Sequence, residues 1–174
     1  MRIVELIIEE DEEFSGIDAI SIVEYPAIEE NFVALNKDKE YKLAEVDSDK
    51  RLLTGALLIP NKTIYRKDGE DEYYIYFSKE TVRKASEMYL INNKQNNSTF
   101  EHQFELSGLS LVESWILEDK EKDKSAIYDM DLPLGTWVGT VKVNNEKVWQ
   151  EFVKTGMVKG FSIEGYFTEK TKKE

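Results

Sequence analysis

The sequence predicts an α+β domain: a mostly antiparallel sheet, partly closed into a β-barrel of about seven strands, with two or more flanking helices. Two observations carry this. Seven or so short segments rich in β-branched and aromatic residues are spread along the 174 residues. Two amphipathic stretches sit among them without strict alternation, which argues against a doubly wound parallel sheet. Composition agrees, with 41% hydrophobic and 11% aromatic residues, enough to bury a core in one domain spanning 1–174.

Taken in order, "RIVELIIEE" alternates in part and reads as a strand. In "FSGIDAISIVEYPAIEENFVAL" the β-branched centre "AISIVEY" reads as a strand ended by Pro26, since proline cannot donate to a ladder. "NKDKEYKLAEVDSDK" is a charged surface connection, and "RLLTGALLIP" is a strand closed by Pro60. "NKTIYRKDGEDEYYIYF" is a hairpin turning at "KDGED". The first helix is "SKETVRKASEMYLIN", capped by Ser78, with Glu80 in its first turn and a core stripe of Val82, Ala85, Met88 and Tyr89. After the polar loop "NKQNNS" come strands "TFEHQF" and "GLSLVESWILED", a charged loop "KEKDKSAIYDMDLP", and the strand "GTWVGTVKV". The second helix is "NNEKVWQEFVKTG", with an Asn cap, a stripe of Val148, Trp149, Phe152 and Val153, and Gly156 as its stop. "KGFSIEGYF" is the last strand.

Composition also limits the chemistry. No apolar run approaches the roughly 20 residues a bilayer crossing needs. Acids follow the first apolar patch at once, so no signal peptide and no membrane partner are expected. With no cysteine there is no disulfide, thiolate metal site or cysteine nucleophile, and the sequence suits a reducing cytoplasm. One histidine falls short of the two or three imidazoles of a usual catalytic zinc site, and no nucleotide motif or EF-hand pattern occurs, so no cofactor is expected. A net charge of −12 disfavours nucleic acid, and the basic "KTKKE" reads as a solvated tail.

One candidate site emerges. On the last strand Phe161, Ile163 and Phe167 share the core face, so Ser162, Glu164 and Tyr166 face away, towards water or a cleft. Glycines at 160 and 165 allow another backbone close: a substrate chain or a neighbouring strand. A serine hydroxyl becomes a nucleophile only beside a base, and His102, in an extended segment, is the one imidazole present. A carboxylate should fix its tautomer, and Asp18, Glu24, Glu113 and Glu164 are available. "GFSIEG" is not a nucleophile elbow. Ser107, Ser110, Ser114 and Ser125 are rival serines.

Read together, "TFEHQ", "GLSLVESWILED" and "VWQEFVKTGMVKGFSIEGYF" resemble the prohead (capsid maturation) proteases of tailed bacteriophages, closest to the XkdF-like serine protease domain and distantly herpesvirus assemblin. The likeness spans roughly residues 14–168, leaving a charged tail at 169–174. It implies His102 as general base and Ser162 as nucleophile of a serine endopeptidase. In many relatives a run like "GIDAISIVEYPAIEENFVAL" follows the catalytic serine. Here it precedes the histidine and only twelve residues follow Ser162, so a circularly permuted order is expected. Under that order Asp18 is the expected third member and Glu113 the second choice. Glu164 points the same way as Ser162, but two residues along a strand is about 7 Å, too far to share one proton path easily. Loop 131–136, "DLPLGT", is a candidate source of oxyanion donors. The resemblance further implies cleavage of scaffold and major capsid protein segments during procapsid maturation, and self-processing. It places the enzyme in the host cytoplasm and then inside the procapsid. The alternatives are a catalytically inactive protease-fold scaffold or internal head protein, and a binding module unrelated to heads.

Overall fold

The structure, a computed structural model, describes residues 1–9, 15–28, 33–35 (backbone) and 50–170. Most of the connection expected at 36–50 and the tail from 171 lie outside them. The elements are β1 (Arg2–Ile7), β2 (Gly16–Val23), β3 (Val33–Leu35), β4 (Leu52–Leu58), β5 (Ile64–Asp68), β6 (Asp71–Phe77), α1 (Lys79–Ile91), β7 (Ser98–Phe100), β8 (Phe104–Leu106), β9 (Leu109–Ile116), β10 (Trp137–Val143), α2 (Glu146–Val148), β11 (Gly160–Tyr166) and β12 (Thr168–Glu169). A 3₁₀ turn, Lys124–Tyr128, lies in the loop before β10, and α2 runs on as a π-helical turn, Trp149–Val153.

The class is α+β, as expected, but the strands are more numerous and no closed barrel forms among the described residues. They make three four-stranded sheets, ordered β12-β1-β6-β5, β3-β4-β10-β9 and β11-β2-β7-β8. Most pairs are antiparallel; β1–β6 and β2–β7 are parallel. The segment "TFEHQF" is the largest local difference, two three-residue strands folded back on one another rather than one strand.

The helices begin where their caps sit. The Ser78 hydroxyl accepts from Thr81 N–H, and the Asn145 side chain from Val148 N–H. The first buries Val82, Ala85 and Tyr89; the second buries Val148, Trp149 and Val153. One core gathers side chains from all three sheets and both helices: Ile20 and Phe161, Leu57 and Trp137, Ile75 and Phe77, Val82, and Trp149. Trp137 is fully buried, lies edge-to-face with Tyr89 at 5.6 Å, and donates its indole N–H to Ser114 Oγ at 2.8 Å. The Phe100 and Phe152 rings stack at 4.6 Å, joining β7 to the π-helical turn. That contact fixes the end of β7, where the histidine turn begins.

Candidate active site

β2 runs through the middle of the third sheet and organises the site. Antiparallel β11 places Ser162 opposite Ser21, and parallel β7 places Thr99 opposite Ser21 on the other side. Ser162, Ser21 and Thr99 therefore form one row across three adjacent strands. Directly opposed residues share a sheet face, so their side chains emerge together. As expected, this face is the one away from Phe161, which is fully buried. It does not open freely to water: Ser21 is sealed off, and Ser162 and Thr99 are each 9% exposed.

The covering comes from the connection between β7 and β8. Phe100 pairs with Phe104, and Gln103 N–H donates to Phe100 C=O at 3.0 Å. The two central residues, Glu101 and His102, have φ of 49° and 56°. This is a tight turn of the primed kind that favours Asn and Gly. Placing Glu and His there costs about 1–3 kcal/mol each. Three bonds to β2 and the residue after it hold the turn in place. Glu101 N–H donates to Ile22 C=O at 3.2 Å, His102 N–H to Ser21 Oγ at 3.0 Å, and Glu24 N–H to the Glu101 carboxylate at 2.6 Å. His102 thus sits on a turn above Ser21, not in an extended segment.

The carboxylate at the imidazole is Glu164. Its Oε1 accepts from His102 Nδ1 at 2.9 Å and also from the Thr99 hydroxyl. Glu164 lies opposite Ala19, whose small side chain leaves room for the carboxylate to lean across β2. Beyond that pair the register shifts, and Gly165 pairs with Ile17. Asp18 is the extra residue of this β-bulge and is turned outward. Its carboxylate binds Lys94 at 2.6 Å, and its carbonyl accepts from Asn97 Nδ2 at 3.1 Å. The position expected to supply the third group is thus engaged elsewhere. Glu113 stands in another sheet, bonded to Thr140 at 2.6 Å and to Lys124. Those donors, Lys124 foremost, hold its carboxyl below the ordinary value. Glu24 reaches the site through its backbone N–H.

Sequence reasoning set Glu164 aside by measuring along the strand from Ser162. The distance that matters is from carboxylate to imidazole, and the histidine turn closes it. Ser21 and Thr99 were missed altogether. A signal existed: Ser21 interrupts the apolar run "AISIV", as Ser162 interrupts "GFSIE".

Among the described residues no hydrogen bond joins the Ser162 hydroxyl to His102 or to any other group. Catalytic bonds are often long in unliganded sites and tighten on substrate binding. The rival serines are placed differently: Ser114 accepts from Trp137, Ser110 donates to Asn96 at 2.7 Å, and the Ser125 hydroxyl is buried without a partner among the described residues. Ser107 lies in the β8–β9 connection, its carbonyl accepting from Asn145. In loop 131–136 the N–H groups of Gly135 and Thr136 are taken by the carbonyls of Leu117 and Pro133, so these two are not free oxyanion donors. The close approach at Gly165 is to the Gly16–Ile17 backbone, a neighbouring strand. Among the described residues no cluster of three or more His, Cys, Asp or Glu is placed to hold a metal ion.

An α+β domain that sets a serine and a histidine–carboxylate pair on one sheet face has the parts a serine hydrolase uses. The family described as "Putative phage serine protease XkdF" matches residues 40–171, and the chain belongs to that family. The matched span contains His102, Ser162, Glu164 and Thr99 but neither Asp18 nor Ser21. No curated protein and no solved structure matches the chain significantly.

Proposed function

We propose that this phage protease-family chain is a serine endopeptidase in which Ser162 is the nucleophile, His102 the general base and Glu164 the acid. The observation that carries the reading is the Glu164–His102 Nδ1 bond on the face that bears Ser162. A carboxylate only accepts, so Nδ1 carries the hydrogen and Nε2 is left as the base. Nε2 takes the Ser162 proton as Oγ bonds to the scissile carbonyl carbon. The same proton passes to the leaving amine as the C–N bond breaks. Water then hydrolyses the acyl-enzyme, with Nε2 accepting its proton and returning one to Ser162 Oγ. Ser162 lies on β11, an edge strand of its sheet among the described residues, which favours a substrate bound in extended form.

The biological setting comes from the family resemblance. The substrates are scaffold and major capsid protein segments, the chain also cuts itself, and cleavage takes place in the procapsid after synthesis in the host cytoplasm. No nucleic acid or membrane takes part. The circularly permuted strand order and the distant kinship with assemblin belong to the same proposal.

The test is processing of co-expressed scaffold and capsid protein. Ser162→Ala and His102→Ala should each keep the fold and abolish cleavage, and Asp18→Asn should keep activity. Undiminished cleavage by Ser162→Ala sinks the proposal. A second reading, a protease-fold head protein without activity, is favoured by one observation: the 9% exposed Ser162 hydroxyl has no bond to the imidazole. It predicts no cleavage by either the wild type or the variant.

A further inference from the structure

Two donors converge on a single oxygen of Glu164, and only one is the imidazole. The other is the Thr99 hydroxyl, on the strand that leads into the histidine turn. Thr99 is nearly buried, and its own carbonyl accepts from Ser21 Oγ at 3.4 Å. That same Ser21 oxygen accepts from His102 N–H. The Thr99 hydroxyl and carbonyl thus tie both partners of the His102–Glu164 pair to one strand: the carboxylate directly, and the histidine backbone through Ser21.

We infer that Thr99 is a positioning residue, which fixes the Glu164 carboxylate so that His102 is held as its Nδ1–H tautomer with Nε2 free to accept. The catalytic meaning rests on the serine endopeptidase reading; the effect on the ring does not. A half-buried glutamate carboxylate with a single partner samples several rotamers. A second donor selects the one that meets Nδ1, as outer-shell partners do for metal-bound imidazoles. Without it the ring can relax towards the Nε2–H tautomer, whose proton faces the wrong way for a base.

The chain has one histidine, so its ring nitrogens can be read without assignment ambiguity. The experiment is ¹⁵N spectroscopy of the histidine-labelled full chain, at a pH where the ring is neutral, alongside peptide cleavage kinetics. The wild type should show a protonated Nδ1 and an unprotonated Nε2. Thr99→Val should move both signals towards a tautomer mixture and lower kcat about tenfold with KM little changed. Thr99→Ser should restore both. If valine disturbs the sheet, Thr99→Ala removes the hydroxyl with less bulk and should give the same shift. Unchanged tautomer signals in folded Thr99→Val or Thr99→Ala would overturn the inference. If the signals move as expected while wild type and Ser162→Ala both fail to cleave, the positioning role stands and the endopeptidase reading falls.

Discussion

Replacing Gly165 by alanine tests the register on which the site depends. A Cβ at this position would lie 2.3 Å from the Gly16 carbonyl oxygen, 2.8 Å from Ile17 Cα and 3.0 Å from the Gly16 carbonyl carbon. Carbon–oxygen contacts between strands run at about 3.3–3.6 Å, so β11 and β2 must separate by about 1 Å. All three obstacles are backbone, and no side chain can rotate aside. The cost should therefore fall near the upper end of overpacking, about 3 kcal/mol. For a chain of this size that is a Tm lower by about 6–12 °C. The separation occurs one residue from Glu164, and a misplacement of about 1 Å can cost about 100-fold in rate. Thermal unfolding followed by circular dichroism gives the first quantity, and peptide cleavage gives the second. Gly69→Ala is the control, because nothing lies within 4 Å of its Cβ position and only its φ of 60° resists. A Gly165→Ala protein that melts within about 2 °C of wild type would refute the close approach and the register drawn from it.

Two further outcomes follow from the same physics. Glu113→Gln should lower stability at pH 7, and the difference should fade as pH falls. The Lys124 and Thr140 bonds depress the folded carboxyl. Such a group stabilises above its unfolded pKa, about 4.3, and loses that contribution as acid protonates it. Urea unfolding at pH 7 and pH 3 reads the difference, and an equal deficit at both would count against the assignment. Ser78→Ala removes the α1 cap bond and should cost about 1 kcal/mol by denaturant melting, with Ser78→Asp recovering most of it.

The parts of the fold that could be read from the sequence were those set by local chemistry. Ser78 and Asn145 cap the helices they were expected to cap, and the hairpin at "KDGED" turns with Gly69 at positive φ. The apolar alternation of "GFSIE" placed Phe161 inward and Ser162 on the other face. What escaped depends on contacts made across the chain. Glu101 and His102 are poor turn formers, and their left-handed conformations exist because Ile22, Ser21 and Glu24 hold them. The bulge that turns Asp18 away from the site leaves no mark in β2 itself, since it arises from pairing with Gly165. Likewise the carboxylate beside His102 could be chosen only once the turn had brought the ring over β2.

The row of Ser162, Ser21 and Thr99 has a consequence for control. Its members belong to neighbouring strands of one ladder, so no hinge separates them and no lid carries one away. Melting the ladder would take the whole array apart rather than withdraw one member of it. On the serine endopeptidase reading proposed above, restraint comes from outside the row, by shielding it or by keeping susceptible chains out of reach.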